Sequence, residues 1–273
     1  GGMLHSDGMI RSVEEWDIGF ASGIYHLAGS GAETVTYLNA ASALSVLDGL
    51  QSGATLHFTS SQSFGVNVFL EGAAQSATDS LTIDLLATPN NDGNNPILLG
   101  SFTSGVSAPD LSRLTIISNS IGTSAENMIF LDSVGGQNNP LSLTIGGTHA
   151  LSVASVDIAT SYIQKVTIQN AAGVNLVGLT WGLQAFDPGG ATIVGGAGDD
   201  VLVGGAGADV IRTGAGDNDI YGSGMSDAVY LKANSGLDTL HYSNVTQSIA
   251  IGGRDAVHNF AVTDTIDIAS LVD

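Results

Sequence analysis

The chain has 273 residues, with 26 acids against 6 bases, a formal charge of −20 and no cysteine. That balance excludes nucleic acid and anionic membranes as electrostatic partners, because phosphate recognition needs clustered Lys and Arg. It also excludes a disulfide frame and a thiolate metal site, so an extracellular chain of this kind needs another staple, and a divalent cation is the obvious one.

The start, GGMLHSDGMIRSVEEWD, is polar and acidic, unlike a signal peptide, and the chain reads as the C-terminal piece of a longer protein. No apolar run approaches the ~20 residues of a membrane-spanning helix. Residues 1–31 form an N-terminal segment that is part helical. Ser12–Phe20 opens with Ser12 followed three residues later by Glu15, a helix-capping arrangement. A second helical patch is Ala40–Leu50, where Leu44, Leu47 and Leu50 keep helical spacing.

From 32 to 188 the chain is β-rich. The patterns ETVTYLN (33–39), ATLHFTS (54–60), GVNVFLE (65–71), DSLTIDLLA (79–87), RLTIIS (113–118), NMIFLDS (127–133), LSLTIGG (141–147), ALSVASVDI (150–158), KVTIQN (165–170) and VNLVGLTW (174–181) mostly alternate apolar and polar residues. Alternation of this kind marks strands with one buried face. An apolar–Thr–Ile triplet recurs at Leu81, Leu114, Leu143 and Val166, with spacing that shrinks from 33 to 29 to 23. The region reads as a β-sandwich or an irregular β-solenoid. Within it, TPNNDGNNP (88–96) alternates Asn90, Asp92 and Asn94 around Gly93. That is either a calcium loop or a polar hairpin.

Catalytic constellations are missing. His5, His26, His57, His149, His241 and His258 never fall within four residues of one another, so no zinc-protease motif forms. G-x-S-x-G, P-loop and dinucleotide signatures are absent. Glu14 and Glu15 beside Trp16 are explained as well by an amphipathic turn as by a carboxylate pair. The chain reads as no enzyme.

Residues 195–221 read GGAGDDVLV, GGAGADVIR, TGAGDNDIY: three in-phase nine-residue units. The form G-G-x-G-x-D-x-U-x, with U large and apolar, builds a parallel β-roll that binds Ca²⁺. Leu202, Ile211 and Ile220 are the inward residues. Two units make one coil, so Asp200 lies over Asn218 and Asp209 over Asp227. Carboxylates stacked about 4.8 Å apart repel by roughly 3 kcal/mol at an effective dielectric near 20, so a cation belongs between them. Turn carbonyls near Gly195, Ala197, Gly204, Ala206, Gly214 and Gly216 join Asp200, Asp209 and Asp227 as ligands. Gly198, Gly207, Gly222, Gly224, Asp217, Asn218, Asp219 and Asp238 complete the candidate set, with Asp264 a more distant one. Roughly two to four calcium ions follow, with further binding near Asp92. The units from Phe186 (FDPGGATIV) and Gly222 (GSGMSDAVY) are degenerate ends.

The repeats resemble the RTX (repeats-in-toxin) family, whose members are exported by type I secretion in Gram-negative bacteria. The resemblance implies that 189–230 is a calcium-binding β-roll. It also implies that 231–273, with GLDTLHYSN and GGRDAVHNFAVTDTIDIASLVD, is a C-terminal β cap and secretion segment. The run of DSLTIDL, LTIGGTHALSV and VTIQNAAGVNL into ATIVGGAGDD is similar to the crystallising part of Caulobacter-type surface-layer proteins. That likeness makes 32–188 an assembly domain. It implies a secreted structural protein that self-associates into a lattice on the cell surface, with cell-surface polysaccharide and the type I secretion apparatus as partners. The end of an RTX adhesin, or the tail of an RTX hydrolase, remains open as an alternative.

Overall fold

The computed structural model describes residues 15–18, 23–37, 45–59, 66–70, 79–86, 97–99, 111–119, 126–131, 140–155, 163–177, 189–205, 207–233, 235–242 and 254–268. Among them no α-helix occurs. The strands are β1 (Glu15–Ile18), β2 (Gly23–His26), β3 (Thr34–Tyr37), β4 (Ser45–Leu50), β5 (Thr55–Phe58), β6 (Val66–Leu70), β7 (Ser80–Leu85) and β8 (Ile97–Leu99). Then follow β9 (Arg113–Ser118), β10 (Asn127–Leu131), β11 (Leu141–Gly147), β12 (Leu151–Ser155), β13 (Ile163–Ile168), β14 (Val174–Asn175) and β15 (Thr192–Val194). The last are β16 (Val201–Gly205), β17 (Val210–Arg212), β18 (Asp219–Ser223), β19 (Ala228–Tyr230), β20 (Thr239–His241), β21 (Ala256–His258) and β22 (Thr265–Asp267).

Odd-numbered strands form one 11-stranded sheet and even-numbered strands a second, each in sequential order. Every strand pairing within each sheet is parallel. Each strand thus pairs with the strand one coil later. Of the two arrangements open from sequence, the chain adopts the irregular β-solenoid.

The core is a thin layer between the sheets, filled by the alternation. In β5, Leu56 and Phe58 are buried while Thr55 and His57 are not. The apolar–Thr–Ile triplets are the register itself: Leu81, Leu114, Leu143 and Val166 stack, as do Ile83, Ile116, Ile145 and Ile168. Between these two inward columns runs an outward one, Thr34, Thr55, Thr82, Thr115, Thr144 and Thr167. The spacing shrinks because the connecting arcs shorten, while the strands keep their places.

Where they are described, at 15–18 and 45–50, both helical patches are strands. Glu15–Ile18 pairs with Thr34–Tyr37; the run E-W-D-I also alternates, and Trp16 turns inward against the core. In the second patch, Leu47 and Leu50 are both fully buried although three residues apart. A bulge explains this: the register shifts between Asp48 and Leu50, and Gly49 sits at φ +80°, a conformation glycine adopts freely. The extra residue mimics helical spacing.

The sheets cross all three expected domain boundaries: β1 pairs with β3 and β2 with β4 around residue 31. Strand β13 pairs with β15 and β14 with β16 around residue 188; β19 pairs with β21 and β20 with β22 beyond 230. The loop 88–96, with Asp92, lies outside the described residues.

Candidate metal centre

The sixth residue of each nonapeptide, Asp200, Asp209, Asn218 or Asp227, stands just before a strand, at the bend where the chain enters the sheet. Its side chain turns back along the solenoid. The Asp209 N–H donates to Asp227 Oδ1 at 2.9 Å, and the Ala191 N–H donates to Asp209 Oδ1 at 2.6 Å. On the opposite edge, the Val174 N–H donates to Asp200 Oδ1 at 2.8 Å, and the Asp200 N–H to Asn218 Oδ1 at 3.0 Å. Two columns of side-chain oxygens therefore run along the roll, one per edge, with the expected stacking of Asp200 on Asn218 and of Asp209 on Asp227.

One oxygen of each carboxylate is used in this way. In the Asp209–Asp227 column the other is orphaned: Oδ2 of Asp209 and Oδ2 of Asp227 are buried and have no hydrogen-bond partner. Both residues are only 1% exposed. Burial pushes the Asp209 carboxyl up to about 6. Burial also pushes Asp227 up to about 8, with the neighbouring Asp209 and Asp255 carboxylates adding to the rise. Asp200 rises to about 6, again chiefly through burial. Glycine makes room for each free oxygen. A Cβ on Gly204 would stand 2.5 Å from Asp209 Oδ2, and one on Gly222 would stand 2.5 Å from Asp227 Oδ2. Desolvated, unpaired carboxylate oxygens beside open glycine backbone fit a hard, oxygen-seeking cation. Among the described residues no three His, Cys, Asp or Glu side chains converge as a cage. A cation on these columns must therefore complete its shell with backbone carbonyls, as Ca²⁺ does.

Residues 194–227 match the RTX calcium-binding nonapeptide repeat family, in four copies. Repeats of this family bind calcium, and an RTX tract marks a secreted, extracellular protein. The fourth copy is the degenerate unit that keeps Gly222 and Asp227. No curated protein and no solved structure matches the chain. No helix among the described residues is long and apolar enough to cross a membrane.

The third RTX unit is built differently. It carries Thr213 where the other units have the glycine, and Asn218 where they have the acid. The two changes act together. Asn218 Nδ2 donates to Asp238 Oδ1 at 2.8 Å and to the Gly216 carbonyl at 3.2 Å. Thr213 Oγ1 donates to Asp238 Oδ2 at 3.2 Å. Both oxygens of Asp238 are thus satisfied by protein donors.

The remaining candidates fall at several places. The Gly196 N–H donates to Asp200 Oδ2 at 2.8 Å. Ala197 is exposed, Gly198 packs on the Ala171–Gly173 turn, and Gly207 is buried. Gly195 packs against the Thr213 carbonyl, where a Cβ would collide. The Gly214 carbonyl accepts from Ser235 Oγ at 3.3 Å, and the Gly224 N–H donates to the Gly205 carbonyl at 3.1 Å. Ala206 lies outside the described residues. Asp217 ties the next coil by accepting the Leu237 N–H at 2.8 Å, and Asp219 points to His241 on the outer face of β18. Neither carboxylate joins a buried column.

Both columns continue past the tract. The Asp227 N–H donates to Asp255 Oδ1 at 2.9 Å, and the Asp238 N–H donates to Asp264 Oδ1 at 3.2 Å. Asp255 was not among the candidates, and its signal is a repeated tripeptide: Asp227-Ala228-Val229 returns as Asp255-Ala256-Val257. Asp79 was missed too; it is buried just before β7, with an unpartnered Oδ2.

Proposed function

We propose that the protein is a structural, non-catalytic component of a bacterial surface layer, exported by type I secretion and rigidified by calcium outside the cell. Asp209 and Asp227, with Asp200 and glycine-turn carbonyls, hold the ions. Bound calcium supplies positive charge and an oxygen-binding bridge between coils. Asp209 and Asp227 each hold a carboxylate oxygen free in a dry site, and that arrangement folds at low cost only when the charge is balanced. At 100 times its dissociation constant, each ion adds about 2.7 kcal/mol.

The observation that carries the reading is continuity. The two sheets pass from β1 to β22 without interruption in strand order, so a roll stiffened by calcium stiffens one end of a single rod. A rod with 26 acids and 6 bases packs beside its copies only when cations screen it. The test is electron microscopy of purified protein, with cell-surface polysaccharide added in a second arm. Ordered sheets at millimolar calcium that dissolve on chelation support the reading. Dispersed particles in every condition contradict it, and glycan binding by dispersed particles favours an adhesin.

A further inference from the structure

Acids and bases are sorted between the two outward faces of the solenoid. The six bases are Arg11, Arg113, Lys165, Arg212, Lys232 and Arg254. Arg113 on β9, Lys165 on β13 and Arg212 on β17 stand exposed at outward positions of the odd-numbered sheet, beside buried Leu114, Val166 and Ile211. They recur every second coil, about 9.6 Å apart at twice the strand spacing. Tyr230 steadies the last of them: the Arg212 guanidinium lies 4.8 Å from its ring centroid, a cation–π contact. From β9 to β21 no described outward strand position of this sheet carries an acid, in a chain that has 26 acids. The even-numbered sheet is the reverse. Its described outward strand positions carry no Lys or Arg. Asp48, Asp219 and Asp267 stand there with half-exposed side chains, and exposed Glu126 precedes β10.

The sorting also runs coil by coil. One coil is an odd-numbered strand and the even-numbered strand that follows it. Arg113 shares its coil with Glu126 and Arg212 shares its coil with Asp219, while Lys165 shares its coil with the amide of Asn175. Among the described residues, no coil has an acid at outward strand positions of both sheets. The two faces also have one pitch, because they belong to one solenoid. A second copy moved sideways, without sliding along the axis, therefore brings Arg113 to Glu126 and Arg212 to Asp219 and sets no strand acid against another. Opposed like charges are what such a contact must avoid, and a chain with 26 acids and 6 bases avoids them only by placement.

We propose that the outward face of the odd-numbered sheet, from β9 to β21, docks on the outward face of the even-numbered sheet of a second copy, coil against coil. A sideways step of this kind is heterologous and does not close, so it yields open rows. Each exposed pair is weak by itself. The charges set the register and exclude misaligned neighbours more than they set affinity. The proposal rests on the reading of the protein as one that self-assembles, and it names the contact.

Sedimentation of the full chain in millimolar calcium, over a range of concentrations, tests it. Arg113→Gln/Lys165→Gln/Arg212→Gln blunts the basic face and keeps the acidic one; Glu126→Gln/Asp219→Asn does the converse. All five positions face outward, so melts in calcium are expected to match the wild type. The wild type is expected to form oligomers that grow with concentration, and each variant alone to sediment as monomer. An equimolar mixture of the two variants is expected to give pairs and nothing larger, because each keeps one working face; such pairs also show that both are folded. If a multiple variant melts early, Arg212→Gln and Asp219→Asn carry the test, each expected to raise the concentration needed for association several-fold. Variants that associate like the wild type, a mixture of folded variants that stays monomeric, or a wild type that is monomeric at every concentration each overturn the proposal. Ordered sheets formed by either variant remove this contact but leave the surface-layer reading standing; wild-type rows without ordered sheets do the reverse.

Discussion

The backbone N–H of Asp209 donates to Oδ1 of Asp227 at 2.9 Å, eighteen residues and one coil away. That bond fixes the carboxylate of Asp227 and leaves its second oxygen buried without a partner. The same side chain thus knits two coils and creates the need for a cation.

Acidity and calcium act as substitutes on this account. The folded carboxyls of Asp200 and Asp209 lie near 6 and that of Asp227 near 8, all above the ordinary value of about 4. The folded state therefore holds extra protons between pH 4 and 8, and stability falls with rising pH across that window. In chelator, melting temperature is expected to be highest near pH 4 and to drop through pH 6 and again towards pH 8. Saturating calcium is expected to flatten or reverse that slope in the same melts.

The third unit can be converted. Thr213→Gly/Asn218→Asp restores the repeat pattern and removes the donors that satisfy Asp238. Without calcium the variant is expected to lose about 1–3 kcal/mol, the cost of leaving a buried acceptor unpaired. With calcium it is expected to recover that loss and to bind one more ion, counted by calorimetric titration.

Glycine at position 222 guards the room beside Asp227. Gly222→Ala places a methyl 2.5 Å from Asp227 Oδ2. The expected outcome is a loss of about 1–3 kcal/mol from overpacking, together with a weaker calcium response. Equilibrium denaturation at several calcium concentrations measures both.

Strand stacking predicts a cost far from the metal columns. Ile116 is fully buried between Ile83 and Ile145. Ile116→Ala is expected to cost about 2–5 kcal/mol, with calcium stoichiometry unchanged, because β9 lies several coils away from the RTX tract.

The strands were legible because alternation has a local cause, a thin core with one wet face. RLTIIS and LSLTIGG coincide with β9 and β11 residue for residue. The partner of each strand was not legible, since alternation is the same in a sandwich and a solenoid; the stacked triplets at Leu81, Leu114, Leu143 and Val166 held that information under unequal arcs. The helical reading of Leu47 and Leu50 failed because the bulge at Gly49 inserts one residue. Within the site, Asp200, Asp209 and Asp227 followed from the eighteen-residue period. Asp255 and Asp264 escaped it because the arcs lengthen to 28 and 26 residues in the tail. The filled third site needed side-chain geometry, which a repeat pattern does not carry.

The central claim is that divalent cations on the Asp209–Asp227 column hold the roll together. Circular dichroism and thermal melting of the full chain at neutral pH, with and without chelator, test it most directly, with Asp209→Asn/Asp227→Asn as the comparison. The account predicts that chelation lowers the melting temperature and the β signal of the wild type, that calcium restores both, and that the variant responds to neither. Identical spectra and melting temperatures for chelated and calcium-loaded wild type would contradict it.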